Sequence, residues 1–483
     1  MKKYKYLLLA VFAILGLSSC SLDTDMYDQK NSDNSFTDLK SVKSGMIGAY
    51  YNLGDYGFLG DYAVIVGDMC SGVSNGSAAS GHFYTFSTFT FSDTQLELEN
   101  IWDDGYKVVT LSTRAINGAK QLEKDGKISK SEQPEASMYI GECYALKALA
   151  NYYLVNLYGL PYSDANKSKP GIIVIDTAAS VPLQQVKRGT VEESYAQILK
   201  DISSAEAAFN EAGTSQTGTL TAEYMGPMGL AALKARVYMS MGNYTEAKKA
   251  AEEAINLKGN GPADATDNVP SNSDYLSMWT KTDVSPEDLF TIKKSTDDNL
   301  SSNSLNVAYG SYYCTLQKAA YGKIASTDIR AKLLKDGDGG GITTAKYDGT
   351  SISSSTSNIP IFRKSEMALI IAECDARTGD LAGAKNYLMF TAKRNSAIKT
   401  TNDLPSTETA LLQFISDERI REFIGEGHRF YDARRMGDVV SGDQFSNWDI
   451  KNFVFPIPAS EVNSGQGAQQ NENWSDNLPS IKQ

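Results

Sequence analysis

The stretch 231–254, AALKARVYMSMGNYTEAKKAAEEA, decides the fold. Ala231, Ala235 and Tyr238 recur at helical spacing, Gly242, Asn243 and Tyr244 break the pattern, and Ala247, Ala251 and Ala254 resume it. Small residues on facing stripes let two helices approach closely, and Gly242 supplies the tight turn between them. A poorer copy runs from Ser365 to Lys393, with Ala372, a Gly379-Asp380 turn, Ala384 and Leu388. Two helical hairpins are therefore expected, separated by about 110 residues rich in Ser, Gly, Asn and Tyr.

Outward from the hairpins the helical pattern continues. Their spacings resemble the tetratricopeptide repeat. Leu96 to Leu122 carries apolar residues at helical spacing, with Trp102 and Tyr106 four apart on one face. Glu135 to Tyr158 is apolar nearly all round yet holds Glu142, Lys147, Asn151 and Asn156, which reads as a helix buried between neighbours. Thr190 with Glu193 forms a capping box for a helix reaching about Phe209. Residues 38–97 read as a mixed region dense in Gly, Ser and aromatics, Tyr56 and Tyr62 among them. The expectation is a mainly α fold: tetratricopeptide-like hairpins as a scaffold, large irregular loop insertions and a few short strands, with long insertions ruling out an uninterrupted solenoid.

The composition bounds the function. The chain has 483 residues, 41% apolar and 22% charged, enough for a sizeable core. Its net charge of −12 argues against nucleic-acid binding, which needs a basic face. With only His82 and His428, a multi-histidine metal site is nearly excluded, and no metal and no cofactor are expected.

Lys2, Lys3 and Lys5 precede an apolar run, Leu7 to Leu17, too short to span a bilayer and right for a secretory signal peptide. Leu17-Ser18-Ser19-Cys20 resembles the bacterial lipobox, so residues 1–19 are expected to be cleaved and Cys20 lipidated. Losing three lysines would take the charge from −12 to −15. Several acyl chains would hold the body on a membrane face, with residues 20–37 as a polar tether. Asp23 and Asp25 resemble the acidic export signal of surface-exposed lipoproteins. Cys70, Cys143, Cys314 and Cys374 contain no CxxC pair and read as buried free thiols.

No enzyme motif stands out: there is no GxSxG, HExxH or GxGxxG, and the turn from Asp336 imitates a calcium loop only until position twelve, where Tyr347 replaces Glu. The densest polar segment, 417–435, is DERIREFIGEGHRFYDARR. Asp417 with Arg421, and Asp432 with Arg435, are spaced to pair on helices, and Gly425 and Gly427 break the helix between them. His428 and Arg429 could form an anion site; a buried charge-paired corner is the favoured reading, since the planar fork of Arg suits it.

This segment resembles the ER…E…EG.R..D..R.G signature of the SusD/RagB family of outer-membrane nutrient-binding lipoproteins. Further pieces follow in the family's order: Trp102 to Tyr106, Gly141 to Lys147, Arg188 to Tyr195, Ala232 to Tyr238, Asp328 to Arg330, Ile359 to Arg363 and Phe455 to Pro458. Gly425 stands where members often carry an aromatic, and Trp474 where Tyr is common. The resemblance implies one SusD-like domain over 38–483, with an N-terminal part over 38–220 and a C-terminal part over 221–483. It implies a cell-surface, lipid-anchored outer-membrane protein that captures oligosaccharides, or alternatively oligopeptides, and delivers them to a SusC-like TonB-dependent transporter without catalysis.

Two loop regions offer a ligand surface, at about the places the family draws its site from. One holds Asp68, Ser71, Asn75, His82, Phe83 and Tyr84; the other holds Asn306, Tyr309, Tyr312, Tyr313 and Tyr321. Aromatic rings pack against the C–H faces of sugars while amides and carboxylates bind hydroxyls. Trp102, Trp279, Arg236, Arg363 and Arg429 read as scaffold. Two other classes compete: a tetratricopeptide scaffold for envelope assembly, which requires hairpins stacked back to back, and a surface glycosidase, which would show turnover.

Overall fold

The structure, a computed structural model, describes residues 35–176, 186–213, 221–258, 271–280, 283–349 and 354–482. Cys20, the signal peptide and most of the tether lie outside the described residues. Among the described residues, eleven helices of eight residues or more carry the architecture: α1 (Leu39–Leu53), α2 (Tyr62–Cys70), α3 (Leu96–Lys124), α4 (Gln133–Tyr158), α5 (Val191–Ala212), α6 (Pro227–Ser240), α7 (Tyr244–Leu257), α8 (Lys364–Arg377), α9 (Leu381–Ala392), α10 (Glu408–Phe423) and α11 (Arg429–Met436). The fold is mainly α, with short two-stranded ladders among the described residues, of which β2 (Pro170–Ile173) with β3 (Arg188–Thr190) leads into α5.

Helices α3 to α8 pack each on the next, with α1 against α3 and both α9 and α10 against α8. The two expected hairpins are α6–α7 and α8–α9, and they share one turn chemistry. Gly242 (φ +72°) and Gly379 (φ +92°) adopt the left-handed conformation, then Asn243 and Asp380 cap the second helix by accepting from Glu246 and Gly383. Although about 110 residues separate them in sequence, the hairpins stack in space, α7 on α8. The insertion therefore interrupts the chain but not the array. The reason lies at its base. Strand β4 (Asp288–Ile292) pairs antiparallel with β8 (Ile359–Arg363), Ile292 opposite Ile359 and Asp288 opposite Arg363, so the insertion leaves and returns at one place beside α6.

Helix α4 is buried almost all round because α3 and α5 cover opposite sides of it. Three of its polar residues are paired within the core: Glu142 accepts from Tyr50 at 2.6 Å, Lys147 pairs with Asp201 at 3.4 Å, and Tyr195 donates to Asn156, while the buried Asn151 amide has no hydrogen-bond partner among the described residues. Thr190 and Glu193 form the expected capping box of α5. The principal core cluster runs from Ala49 to Ala468. Cys70, Cys143, Cys314 and Cys374 are buried free thiols.

Helices α1 and α2 fall in the region expected to be mixed. Asp38 caps α1 in a capping box with Ser41, and Leu39, Val42, Met46, Ala49 and Leu53 form its buried stripe. The stripe was present in the sequence, diluted by Gly45 and Gly48, whose helix cost hides the pattern.

The 417–435 segment forms α10, a glycine turn and α11. Gly425 (φ +79°) and Gly427 (φ +78°) make the break, and a Cβ on Gly427 would lie 2.6 Å from the carbonyl oxygen of Val64. Asp432 pairs with Arg435 as expected, at 2.8 Å. Asp417 does not pair with Arg421. It binds Lys323 at 2.8 Å while Arg421 turns to Glu418, because the insertion brings a cation to the outer face of α10.

Around this corner lies a buried ionic knot. Arg363 binds Glu287, Glu422 and Glu426, each at 2.8 Å. Arg330 binds Asp328 (2.6 Å), Glu418 (2.8 Å) and Glu422 (3.1 Å). Arg394 reaches Glu287 and Glu422, and Lys346 reaches Glu426. Trp279 is buried against it, with Lys346 and Arg363 over its ring. His428 is half-buried and stacked on Phe423, and Arg429 pairs with Asp438. Burial and the surrounding Arg236 and Arg419 push the His428 imidazole well below the usual range, so it stays neutral. That is the charge-paired corner.

Candidate ligand-binding site

The two loop regions meet. Strand β1 (Ser74–Asn75) pairs antiparallel with β5 (Thr315–Leu316), Ser74 opposite Leu316 and Asn75 opposite Thr315. Gln317 extends the ladder: its backbone N–H donates to Val73 at 2.7 Å and its Nε2 to the Ser74 carbonyl at 2.8 Å. Segments some 240 residues apart are thereby held in register by a buried amide.

Beyond the Asn75–Thr315 end the chains carry rings. His82 lies flat on Tyr312, centroids 3.5 Å apart and planes 8° apart, and the Ser80 hydroxyl donates to the Tyr312 carbonyl at 2.7 Å. Phe83 sits edge-on to Tyr62 at 5.7 Å, and Tyr62 edge-on to Tyr56 at 5.4 Å. A half-exposed ridge, Tyr56–Tyr62–His82–Tyr312, results. Tyr313 and Tyr84, each 38% exposed, lie on the same two loops. Phe83 (φ +54°) and Tyr313 (φ +59°) both adopt the left-handed backbone conformation, which costs a bulky residue about 1 kcal/mol or more. Two such outliers at one surface mark a place where ring direction is over-determined by the fold.

The turn from Asp336 is a hairpin between β6 (Leu334–Asp336) and β7 (Ile342–Thr344). Gly339 is within its bend, where a Cβ would lie 2.7 Å from the Cβ of Tyr313. The glycine run lets this turn lie against an aromatic of the site. Among the described residues, no group of three His, Cys, Asp or Glu is arranged to hold a metal ion.

The eleven residues chosen from the sequence divide by depth. His82, Tyr312, Tyr313 and Tyr84 reach the surface. Asn75 is half-buried and donates to Asp443 at 3.0 Å. Asp68, Ser71, Phe83 and Tyr309 are buried and stand behind the surface as supports. Tyr309, 2% exposed, shares a 2.9 Å hydrogen bond with Ser74 and stacks on Tyr347. Asp68, wholly buried, accepts from the Gly427 N–H at 3.2 Å, and burial pushes its carboxyl up to about 8 against the pull of that N–H and of Lys346. Asn306 donates to the Tyr347 carbonyl, and Tyr321 is packed against the core. Tyr56 and Tyr62, which join this candidate surface, were not chosen from the sequence; the aromatic density of 50–62 was their only signal, and their distance in sequence from His82 concealed the ridge.

A model of the SusD family matches residues 99–474, and the chain belongs to that family. Among curated proteins it is similar to the SusD-like protein P25 of Formosa agariphila, 30% identical over 112 residues, a match spanning 21% of this chain and 21% of that relative. Among solved structures it is similar to a SusD superfamily protein of Bacteroides thetaiotaomicron, with TM-score 0.79 and 23% identity, covering 90% of this chain and all of that one. It is also similar to the surface glycan-binding protein A of Bacteroides fluxus, with TM-score 0.67 and 19% identity over 90% of this chain and 99% of that one. A SusD-like carbohydrate binding protein of Bacteroides vulgatus gives TM-score 0.71 and 16% identity over 85% and 86%. At these identities the structural likenesses speak for the fold.

Proposed function

We propose that this chain is a surface nutrient-binding lipoprotein that captures oligosaccharides on the Tyr56–Tyr62–His82–Tyr312 ridge and hands them to a SusC-like TonB-dependent transporter of the outer membrane. It holds the glycan without cleaving it, and lipidated Cys20 keeps it on the membrane. The observation that carries the reading is the flat His82–Tyr312 pair, built by two loops and presented to solvent beside Tyr313. Ring faces of this kind suit the C–H faces of pyranose sugars, and amide and carboxylate groups such as Asn75 and Asp443 stand near for hydroxyls. Family membership and the carbohydrate-binding relatives support the same ligand class.

The test is calorimetric titration of the full chain, in a non-glycosidic detergent, against neutral glycans, acidic glycans and mixed oligopeptides. A neutral glycan is expected to bind saturably and to be recovered unshortened. Tyr312→Ala should weaken it about tenfold, or ~1.4 kcal/mol, with little change in stability. Saturable binding of peptides alone would replace the ligand class, and shortened products would overturn the non-catalytic role. Copurification of a β-barrel transporter from outer membranes tests the partner.

A further inference from the structure

The β1–β5 ladder has a second end. On the ridge side it leads into Asn75 and Tyr313; on the other it leads, through Val73 and Gln317, to Ser71 and to the helical turn Lys318–Tyr321. There a cleft of about 480 Å³ opens between these residues, the outer face of α10 and the segment following α11. It shares its supports with the ridge. Asp443, which holds Asn75, is itself held by Gln317, whose side-chain oxygen accepts the Asp443 N–H at 2.8 Å.

The cleft wall is made of alternating charges. Lys323 and Asp417 pair at 2.8 Å on one side, Arg429 and Asp438 at 2.7 Å on the other, and all four are partly exposed. None is exhausted by its partner. A carboxylate has about four acceptor positions and a guanidinium five N–H donors, and Arg429 uses one terminal nitrogen for both Ser416 and Asp438. The hydroxyl of Ser71, in the same wall, is buried without a hydrogen-bond partner among the described residues. Donors and acceptors set side by side match a group that donates and accepts from adjacent atoms, which is the chemistry of a vicinal diol. An anion would meet Asp417 and Asp438, and a cation Lys323 and Arg429; a neutral polyhydroxyl chain meets both kinds of group favourably.

We propose that this cleft is a second, polar glycan subsite, continuous with the aromatic ridge, that takes the sugar units of a neutral oligosaccharide extending past the ladder. The inference rests on the glycan-binding reading of the ridge. It assigns the ridge to recognition of ring faces and the cleft to recognition of hydroxyls, so the chain measures ligand length as well as ligand type. The ladder's two residue pairs separate the surfaces by roughly 7 Å of extended backbone, and a ligand must seat a sugar on each surface as well as cross that span, for which a disaccharide is too short.

The experiment titrates the full chain, in the same non-glycosidic detergent, with malto-, cello-, xylo- and manno-oligosaccharides from two to eight units. Wild type is expected to gain at least tenfold in affinity between the disaccharide and the hexasaccharide of the series it prefers. Replacing the Lys323–Asp417 pair together by Met and Leu (Lys323→Met, Asp417→Leu) should abolish that gain and leave disaccharide affinity unchanged. Ala319→Arg, at an exposed position where a long cation reaches the cleft carboxylates, should do the same, and serves if the double variant fails to fold. Tyr312→Ala should weaken short and long ligands by the same factor. Cleft variants that keep the full length dependence overturn the subsite and leave the ridge reading standing. Silence from wild type with every glycan overturns the glycan reading and the subsite with it.

Discussion

The ionic knot and the aromatic ridge both draw on the insertion between α7 and α8 and obey opposite rules. Arg330, Lys346 and Arg363 come from the chain between α7 and α8, and so do Tyr312 and Tyr313. The first set is buried, each charge meeting one to three partners; the second is half-exposed, its rings meeting one another and solvent. The knot ties an irregular segment to the helical array where little regular secondary structure is available to do so. The ridge can then be made of short loops, beside two residues in left-handed conformations, because the segment behind it is tied down by buried charge pairs. The lesson is that a loop-built site borrows its precision from buried contacts that touch no ligand.

The sharpest way to break this comparison is to cut the knot at its centre. Glu422 faces Arg363 at 2.8 Å, Arg330 at 3.1 Å and Arg394 at 3.1 Å. Glu422→Gln leaves three buried guanidiniums short of a counter-charge and should cost about 3–5 kcal/mol at pH 7, read by urea unfolding. The pH dependence supplies a second check. Burial alone would raise the Glu422 carboxyl, but Arg394, Arg363 and Arg330 outweigh it and hold it well below the ordinary range. A lowered folded pKa gives stability that is present above the unfolded value of about 4.3 and lost as pH falls below it. The gap between wild type and Glu422→Gln should therefore narrow below pH ~4. A constant gap would mean that the charge of Glu422 is not what holds the insertion.

Asp68 lies between the two regions, bonded to the glycine turn of the knot and close behind Tyr309 of the site. Its carboxyl, raised to about 8 by burial, keeps its proton in the folded chain at neutral pH, whereas the unfolded chain sheds it near 3.9. The sign is opposite to that of Glu422. Here stability is fully present below the unfolded pKa and is lost as pH rises through about 8. Asp68→Asn keeps an acceptor for the Gly427 N–H and has no proton to lose. Relative to wild type it should gain roughly 2–4 kcal/mol between pH 5 and pH 8, measured by thermal or denaturant unfolding across that range. Parallel pH profiles would show that Asp68 is ionised in the fold.

Much of this was legible, and what was not has physical causes. The hairpins and α3 to α5 could be read because small residues, caps and periodicity are local, as with Thr190 and Glu193. Segment 417–435 announced a charged corner, but Arg330 and Arg363, which bind its Glu422, lie 92 and 59 residues away, and no spacing rule connects them; hence Asp417 was paired with Arg421 when Lys323 was the nearer cation. At the candidate site, aromatic-rich composition and the family resemblance together pointed to the two loop regions. Which face of each loop meets solvent could not be read from them, because that is set by the β1–β5 register and by the left-handed turns at Phe83 and Tyr313.

Tyr309 and Tyr312 make the finest form of the comparison, two tyrosines three residues apart on opposite sides of one surface. Tyr309 faces inward, where its hydroxyl meets Ser74 and its ring stacks on Tyr347, which in turn donates to the Gly425 carbonyl of the knot's turn at 3.1 Å. Tyr312 faces outward against His82. Tyr309→Phe removes one buried hydrogen bond and leaves the Ser74 hydroxyl alone, a loss of about 1 kcal/mol in stability, with the glycan affinity unchanged. Tyr312→Ala, by contrast, should spare stability and cost affinity. Measuring unfolding and binding on both variants separates support from contact within a single turn of chain. If Tyr309→Phe weakened binding as much as Tyr312→Ala while leaving stability intact, the buried tyrosine would be part of the binding surface and the division by depth would be wrong.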